Sequence, residues 1–169
     1  SSGKMDLREL EFDVVDIIDV PIDMMKSIAK EKNIVIRKYI QGSLPRVYGD
    51  KSFLRQVVLN LLSNAVRYSD NDGKVLVSVK MNEEGEMEIR VKDEGLGIRE
   101  EDMEIAMQEF GQVGKGVSRG ARQGTGIGLA LAKKIVELHD CKITVESKIE
   151  EGSCFTILIG PERLRDCSK

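Results

Sequence analysis

The stretch from Ser52 to Ser69, SFLRQVVLNLLSNAVRYS, constrains the fold most, because its apolar residues repeat with the period of an α-helix. At about 100° per residue they form one stripe, whose members are Leu54, Val57, Val58, Leu61, Leu62 and Ala65. Asn60, Asn64 and Arg67 fall within a sector of about 60° along one edge of this stripe. An amide at the edge of a core costs about 1–3 kcal/mol unless it is hydrogen-bonded. The row therefore needs either partners in the neighbouring backbone or a bound ligand.

Composition sets the broad class of the chain. Its 169 residues are 41% hydrophobic and 33% charged, which indicates one globular domain with its own core. The net charge of −3 gives no reason to expect nucleic acid as the main partner. No apolar run approaches the roughly 18 residues of a membrane span, and no signal peptide is recognisable. The three cysteines, Cys141, Cys154 and Cys167, follow no metal-ligand spacing and indicate reduced thiols.

These features predict a cytoplasmic domain over residues 4–169. The first three residues, Ser1 to Gly3, have the composition of a cloning remnant. Whether the parent protein carries a membrane anchor elsewhere is left open.

Periodicity and turn residues predict three helices, over residues 13–32, 50–68 and 126–139. Asp13 and Asp50 are expected to cap the first two, and Pro21 to kink the first helix or make it restart. Alternating apolar residues predict strands over 34–40, around 75–79, over 86–93 and in KITVES and SCFTILIG, with a hairpin turn at Asn82 to Gly85. The pattern favours an α+β, two-layer sandwich with three main helices on one face of a mixed, mostly antiparallel sheet.

Asp93 stands out in the strand EMEIRVKD, because counting by two places it on the same face as Met87, Ile89 and Val91. A carboxylate at the buried end of a strand must find hydrogen-bond donors. Gly95 and Gly97 follow, where backbone or a flat ligand can approach closely. The alternative is a solvated aspartate in a turn.

Residues 108–124 carry five glycines with Lys115, Arg119 and Arg122 between them. Such a segment fits a basic lid over an anion, or a solvated disordered loop. The following stretch, GTGIGLALAKKIVELH, opens a helix with glycines, and the free N–H groups of a helix start bind phosphate well. A dinucleotide-binding interpretation would require a strand directly before these glycines, and the preceding residues predict a loop.

The amide row, the buried carboxylate, the basic loop and the glycine-opened helix converge on one ligand. A purine offers an exocyclic amine to Asp93, and a triphosphate with Mg²⁺ suits oxygen ligands, cations and helix N–H groups. The sequence therefore predicts an ATP site.

Four segments in the right order also resemble a known family. NLLSNAVRY is similar to the N box, DEGLG to the G1 box, the EF at Phe110 to the F box and GTGIGL to the G2 box of the GHKL ATPase superfamily, in the form found in sensor histidine kinases. The resemblance runs from about Asp13 to Pro161 and implies the Bergerat ATP-binding fold.

The resemblance implies a role for each matching residue. Asp93 would accept from the adenine amine, with Gly95, Gly97 and Ile98 lining the base pocket. Asn64 and Asn60 would hold Mg²⁺, and Arg67 and Tyr68 would approach phosphate or ribose, which makes Asn60, Asn64 and Arg67 the catalytic candidates. The F box contributes Phe110. The phosphates would lie against the G2 box, whose residues are Gly124, Thr125, Gly126, Ile127, Gly128 and Leu129.

One position separates the chemistries of this superfamily. Gyrase-, chaperone- and mismatch-repair-type members usually carry Glu where Asn60 stands, and that Glu is the base for water. Asparagine cannot take a proton, so efficient hydrolysis is disfavoured. Phosphoryl transfer depends mainly on positioning and charge stabilisation, and a kinase can receive its nucleophile from elsewhere.

The leading hypothesis is thus a histidine kinase catalytic domain that phosphorylates a histidine on a separate dimerisation hairpin, which this chain lacks. A response regulator or phosphotransfer protein would follow as partner, and the isolated domain is expected to be a monomer. The alternatives are a degenerate nucleotide-binding module that signals by conformation, and a true GHKL ATPase. His139, the one histidine, is expected to be a helix-end residue rather than a phosphoacceptor. Beside it Asp140 and Cys141 replace the usual Gly-Gly, which puts the geometry of that turn in question.

Overall fold

The computed structural model describes residues 6–95 and 125–166. The helices are α1 (Val14–Glu31), α2 (Lys51–Tyr68) and α3 (Thr125–Leu138). The strands are β1 (Leu10–Phe12), β2 (Val35–Ile40), β3 (Arg46–Gly49), β4 (Lys74–Met81), β5 (Met87–Asp93), β6 (Lys142–Lys148), β7 (Gly152–Ile159) and β8 (Leu164–Arg165).

The five longer strands form one mixed sheet in the order β2-β4-β5-β7-β6. The β2–β4 pair is parallel and the other pairs are antiparallel. The inner face of this sheet is apolar, because alternate residues of β4 and β5 and the apolar residues Phe155, Ile157 and Ile159 of β7 are buried. Helix residues complete a single hydrophobic cluster with them. The predicted α+β two-layer sandwich is confirmed.

Local predictions around the second helix and the hairpin are also confirmed. The Asp50 carboxylate accepts from the Phe53 N–H at 3.0 Å and caps α2, and every residue of the predicted apolar stripe is buried. The chain reverses between β4 and β5 at Gly85, which has a φ of 81° and donates to the Asn82 carbonyl. The predicted strand that carries Asp93 therefore has the expected register.

Of the two outcomes predicted for Pro21, a kink or a restart of the first helix, the restart is wrong. Helix α1 runs from Val14 to Glu31 with Pro21 inside it. A proline within a helix costs about 3 kcal/mol. That cost is outweighed because α1 buries seven residues, several of them large apolar side chains that each contribute about 1.5–3 kcal/mol. Asp13 occupies the N-cap position, but its side chain makes no capping bond within the described part of the chain.

A second, three-stranded sheet, β1-β3-β8, was not predicted. Its strands have only three, four and two residues, too few for alternation to be read in the sequence. Arg163 joins its strands, since the guanidinium donates to the Glu9 carboxylate and to the Tyr48 carbonyl. Among the described helices, none has the length and apolar composition needed to cross a membrane.

Two of the three cysteines, Cys141 and Cys154, are buried free thiols. Burial raises the pKa of the Cys141 thiol to about 11, so it is protonated and unreactive at neutral pH. The third, Cys167, lies outside the described residues.

Candidate functional site

Asp93 is a buried carboxylate at the last position of β5, with 3% of its surface exposed. Its Oδ1 accepts from the Gly95 N–H at 2.8 Å and from the Ser153 N–H at 3.3 Å. Burial raises the pKa of this carboxyl to about 6, and the two N–H donors act in the opposite direction. Asp93 is therefore mostly ionised at neutral pH, with lone pairs left for a further donor.

Gly95 is required by close packing of the backbone. A Cβ at this position would lie 2.2 Å from the carbonyl oxygen of Tyr68, a distance that no side chain tolerates. Gly152 has a similar constraint on the other side of Asp93, where a Cβ would lie 2.1 Å from the Asp93 carbonyl oxygen at a φ of 104°. Sequence reasoning missed Gly152 and Ser153, whose only signal was the turn that begins β7.

A β-bridge between Ser69 and Gly95 joins the end of α2 to the end of β5. The carboxylate of Asp93 and the C-terminal turn of α2 are thereby held at the same end of the sandwich. At 1.5 Å per residue, Asn64 and Asn60 lie about 8 and 14 Å back along the helix axis from Ser69. The bridge therefore connects the helix that carries the predicted amide row to the strand that carries the predicted carboxylate.

The amide row divides into one satisfied and one unsatisfied side chain. Asn60 is half-buried; its Nδ2 donates to the Gly128 carbonyl at 3.0 Å, and its Oδ1 accepts from Gln56 at 2.8 Å. Asn64 is 7% exposed, and its buried Nδ2 has no hydrogen-bond partner among the described residues. Arg67, the third member of the row, is exposed.

The contact between Asn60 and Gly128 brings the beginning of α3 against the amide row. A Cβ on Gly128 would be 3.9 Å from the Asn60 amide, so a side chain here would meet Asn60 first. Leu129 is completely buried in the hydrophobic core. The structure thus brings the beginning of α3 against Asn60 on α2, and the Ser69–Gly95 bridge joins the other end of the same helix to β5.

A cavity of about 240 Å³ adjoins Asp93 at the same end of the sheet. The described residues that line it are Lys92, Asp93, Glu146, Ser147, Lys148, Glu151, Gly152, Ser153 and Cys154. Small-molecule sites commonly have volumes of about 300–1,000 Å³, and the amide row does not line this cavity. The volume of this cavity is below that range. Lys92, Cys154 and Glu146 pair across β5, β7 and β6 and share the sheet face opposite the core, so the cavity adjoins Asp93 from outside the predicted amide row and carries no argument for the nucleotide.

A family model described as histidine kinase-, DNA gyrase B- and HSP90-like ATPase matches residues 49–163, well over half of the chain. The chain belongs to this ATPase family. The match spans the amide row, Asp93 and α3, which are the parts of the site that the structure brings together. Family membership supports ATP as the ligand of this site.

Individual relatives point to one branch of the ATPase family. The cell-division control histidine kinase PdhS of Brucella canis is 32% identical over an alignment that covers 96% of this chain and 16% of that protein. PdhS of Brucella abortus strain S19 gives the same three values. The chain thus spans only a small part of the length of these relatives.

Solved structures of histidine kinases share the fold. Full-length ShkA in complex with AMPPNP matches with a TM-score of 0.79 and 23% identity, over 98% of this chain and 33% of that one. The catalytic domain of histidine kinase ThkA matches with a TM-score of 0.74 and 24% identity, over 92% of this chain and 97% of that one.

His139 has a structural role in this member of the ATPase family. It is 0% exposed, its Nε2 accepts from the Asp50 N–H at 3.0 Å, and its Nδ1 lies 2.9 Å from the Ile135 carbonyl. The Nδ1 nitrogen therefore carries the proton and the ring is neutral. Burial lowers the pKa of this imidazole. The prediction of a helix-end residue is confirmed, and sequence reasoning missed its link to the cap of α2.

The turn after His139 keeps the geometry that a glycine would give. Asp140 adopts a φ of 57°, and the Cys141 N–H donates to the Val136 carbonyl at 3.0 Å. The replacement of Gly-Gly by Asp140 and Cys141 therefore leaves this turn intact, because aspartate tolerates the left-handed region better than most residues.

Several predicted site residues lie outside the described residues. These are Gly97, Ile98, Phe110, Gly124 and the lid candidates Lys115, Arg119 and Arg122. Thr125, Gly126 and Ile127 begin α3. Within the described ranges no group of three or more His, Cys, Asp or Glu side chains could hold a metal ion.

Proposed function

We propose that the chain is the catalytic and ATP-binding domain of a two-component sensor histidine kinase. It binds Mg-ATP and donates the γ-phosphoryl group to a histidine on a separate dimerisation hairpin, from which a response regulator or phosphotransfer protein receives it. The observation that carries the proposal is the buried Nδ2 of Asn64, which has no partner within residues 6–95 and 125–166 and lies on the helix that the Ser69–Gly95 bridge joins to β5. The proposal places this reaction in the cytoplasm.

Asp93 is suited to the adenine end of the nucleotide. Its carboxylate is ionised at neutral pH, is already oriented by two backbone N–H groups, and can accept a hydrogen bond from the exocyclic amine. A base that presents a carbonyl oxygen at the same place would face a buried negative charge, which is unfavourable. Asp93 would therefore select adenine over guanine, with Gly95 and Gly97 beside the base.

Asn64 is the residue best placed to serve the Mg-phosphate end. Rotating its amide by half a turn exchanges nitrogen for oxygen, and a carboxamide oxygen is a suitable Mg²⁺ ligand alongside phosphate and water. Bound Mg²⁺ would neutralise charge on the phosphates. The oxygen of Asn60 is already held by Gln56, so Asn60 fits a positioning role at the Gly128 carbonyl better than direct ligation. Arg67 is exposed beside this row and would approach phosphate, and Tyr68 ribose.

Kinase rather than ATPase chemistry is favoured by two features. Asparagine at position 60 cannot act as a base for water. His139 is buried and both of its ring nitrogens are hydrogen-bonded to the main chain, so it cannot reach a nucleotide. A phosphoacceptor histidine must therefore come from another segment.

Nucleotide binding is tested by calorimetric titration of the chain with Mg-AMPPNP. Asp93→Asn should weaken binding at least tenfold. If the new amide oxygen accepts from the Gly95 and Ser153 N–H groups, the NH2 group of the amide faces the adenine amine, and two donors cannot pair. Asp23→Asn is the matched control, since Asp23 is an exposed carboxylate on α1. Equal affinities of the wild-type chain and the Asp93→Asn variant would contradict the site.

Phosphoryl transfer is tested by joining the chain to the hairpin of its parent protein and supplying ATP labelled at the γ-phosphate. Acid-labile label on the hairpin, with slow phosphate release, is the expected result. Bound nucleotide without label would overturn the kinase proposal in favour of a signalling module. Rapid phosphate release by the chain alone would overturn it in favour of an ATPase.

A further inference from the structure

The turn between α1 and β2 brings one lysine to the end of the helix that carries the amide row. Lys32 is the C-cap residue of α1, and Asn33 after it adopts a φ of 56°. The Ile34 N–H donates to the Ala29 carbonyl at 2.8 Å, and the Asn33 N–H to the Lys30 carbonyl at 3.0 Å. This pair of bonds is a Schellman motif. The motif ends α1 at a fixed residue and sets the direction in which Lys32 leaves it.

The Lys32 ammonium donates to three main-chain carbonyls at the end of α2. The acceptors are the carbonyl oxygens of Val66 (2.9 Å), Arg67 (2.9 Å) and Ser69 (2.8 Å). The last carbonyls of a helix lack intrahelical partners and carry the negative end of the helix dipole. A single cation with three donors therefore satisfies three of these groups at once.

Backbone and side-chain bonds hold the same turn against the loop that follows α2. The Asp72 N–H donates to the Lys32 carbonyl at 2.9 Å, and the Asn33 side chain donates to the Asp72 carboxylate at 2.5 Å. The Val35 N–H donates to the Gly73 carbonyl at 3.1 Å. Lys32 is thus fixed at both its main chain and its side chain.

We propose that Lys32 is a positioning residue for the nucleotide site. The residues whose carbonyls it holds include Arg67, which is expected to approach phosphate, and Ser69, which forms the bridge to Gly95. The Gly95 N–H in turn orients the Asp93 carboxylate. This inference rests on the proposed nucleotide-binding function for its consequence, but the physical link from Lys32 to Gly95 does not depend on it.

A displacement at the end of α2 is passed to the end of β5, because the two backbones are in tight contact there. The Tyr68 carbonyl lies so close to Gly95 that even a methyl group would not fit between them. Loss of the ammonium leaves three carbonyls without their shared donor, so the last turn of α2 can fray. Fraying would move Ser69, weaken the bridge, and release the N–H group that holds Asp93.

The test compares Lys32→Met, which keeps the unbranched stem and removes the ammonium, with Lys32→Arg and Lys30→Met. Lys30 is the matched control, because it is an exposed lysine in the same last turn of α1. Two quantities are measured on each chain: the ¹H–¹⁵N resonance of the Gly95 amide without nucleotide, and the dissociation constant for Mg-AMPPNP.

Lys32→Met should shift the Gly95 resonance and weaken nucleotide binding about tenfold, the effect of losing one charged hydrogen-bond network. Lys32→Arg, which restores a cation with several donors, should recover most of the affinity, and Lys30→Met should change neither quantity. If Lys32→Met does not fold, Lys32→Gln replaces it, because its shorter amide has fewer donors.

A lower melting temperature with an unchanged Gly95 resonance and unchanged affinity would show that Lys32 only stabilises the fold, and would overturn the proposal. If the wild-type chain itself does not bind nucleotide, the proposed function fails. The Gly95 resonance of Lys32→Met then still decides whether Lys32 controls the position of this strand end.

Discussion

Asn64→Ala should make the chain more stable and its nucleotide binding weaker. The reason is that the buried Nδ2 of Asn64 has no partner among the described residues, so the amide destabilises the fold in the absence of a ligand. An unpaired buried donor costs about 1–3 kcal/mol. If the amide is kept for a ligand, its removal relieves that cost and abolishes the contact.

The size of the stability change follows from three contributions. Removing the unpaired amide contributes about 1–3 kcal/mol, and alanine is the better helix former by up to about 0.7 kcal/mol. Loss of packing around the truncated side chain lowers the free energy of unfolding by about 1 kcal/mol or more, which offsets part of this gain. The net expectation is a rise of about 1 kcal/mol in the free energy of unfolding, or about 2–4 °C in the melting temperature of a domain of this size.

Asn60→Ala is the matched control on the same helix face. Asn60 has partners for both amide atoms, the Gly128 carbonyl and Gln56. Its removal should lower the free energy of unfolding by about 0.5–1.5 kcal/mol for each hydrogen bond lost. The two alanine variants should therefore move the melting temperature in opposite directions.

The measurements are urea unfolding and calorimetric titration with Mg-AMPPNP on both variants. Asn64→Ala should bind at least tenfold more weakly than the wild-type chain, as expected for the loss of a charged contact. If Asn64→Ala is destabilised as strongly as Asn60→Ala, the Asn64 amide has a partner in the free chain. The assignment of Asn64 to a ligand would then lose its main support.

The remaining expectations concern pH and backbone packing. Because the Asp93 pKa is raised to about 6, nucleotide affinity should fall about tenfold per pH unit below 6, and Asp93→Asn should show a flat profile between pH 5 and 8 in the same titration. The same carboxyl stabilises the free chain below about pH 4 and loses this contribution as the pH rises through about 6. Because the pKa of His139 is lowered, its contribution to stability is present above about pH 6.5 and is lost as the pH falls below that value. His139→Gln should remove this pH dependence from the free energy of unfolding measured in urea. Gly95→Ala should lower the free energy of unfolding by about 2 kcal/mol or more in thermal unfolding, since its Cβ would meet a carbonyl oxygen at 2.2 Å. Gly42→Ala, where a Cβ meets no described atom within 4 Å, is the control and should be nearly neutral. Similar effects of the two glycine substitutions would contradict the packing argument.

The sequence sufficed where a local rule decides the structure. Counting by two placed Asp93 on the buried face of β5, and an aspartate before an apolar helical run placed the cap of α2 at Asp50. The restart expected at Pro21 does not occur, because burial across the whole of α1 outweighs one lost hydrogen bond.

Features that depend on distant contacts were beyond the sequence. Asn60 and Asn64 lie on the same side of a helical projection, and the partner of the Asn60 Nδ2, the Gly128 carbonyl, is 68 positions away in the chain. The nitrogen of His139 that accepts from the Asp50 N–H does so across 89 positions. No periodicity in one segment records which carbonyl or N–H another segment will present.

The pairing of β5 with both of its neighbours has a consequence for how this chain can vary. Asp93 closes the ladder opposite Val75 of β4, and Lys92 is the last residue paired with β7. Adding or removing a single residue within β5 would invert its parity, turn the carboxylate towards solvent and bring lysine inward. The hairpin at Gly85 can tolerate changes in length. Between that hairpin and Asp93, however, residues can be added or removed only in pairs if the carboxylate is to stay on the buried face.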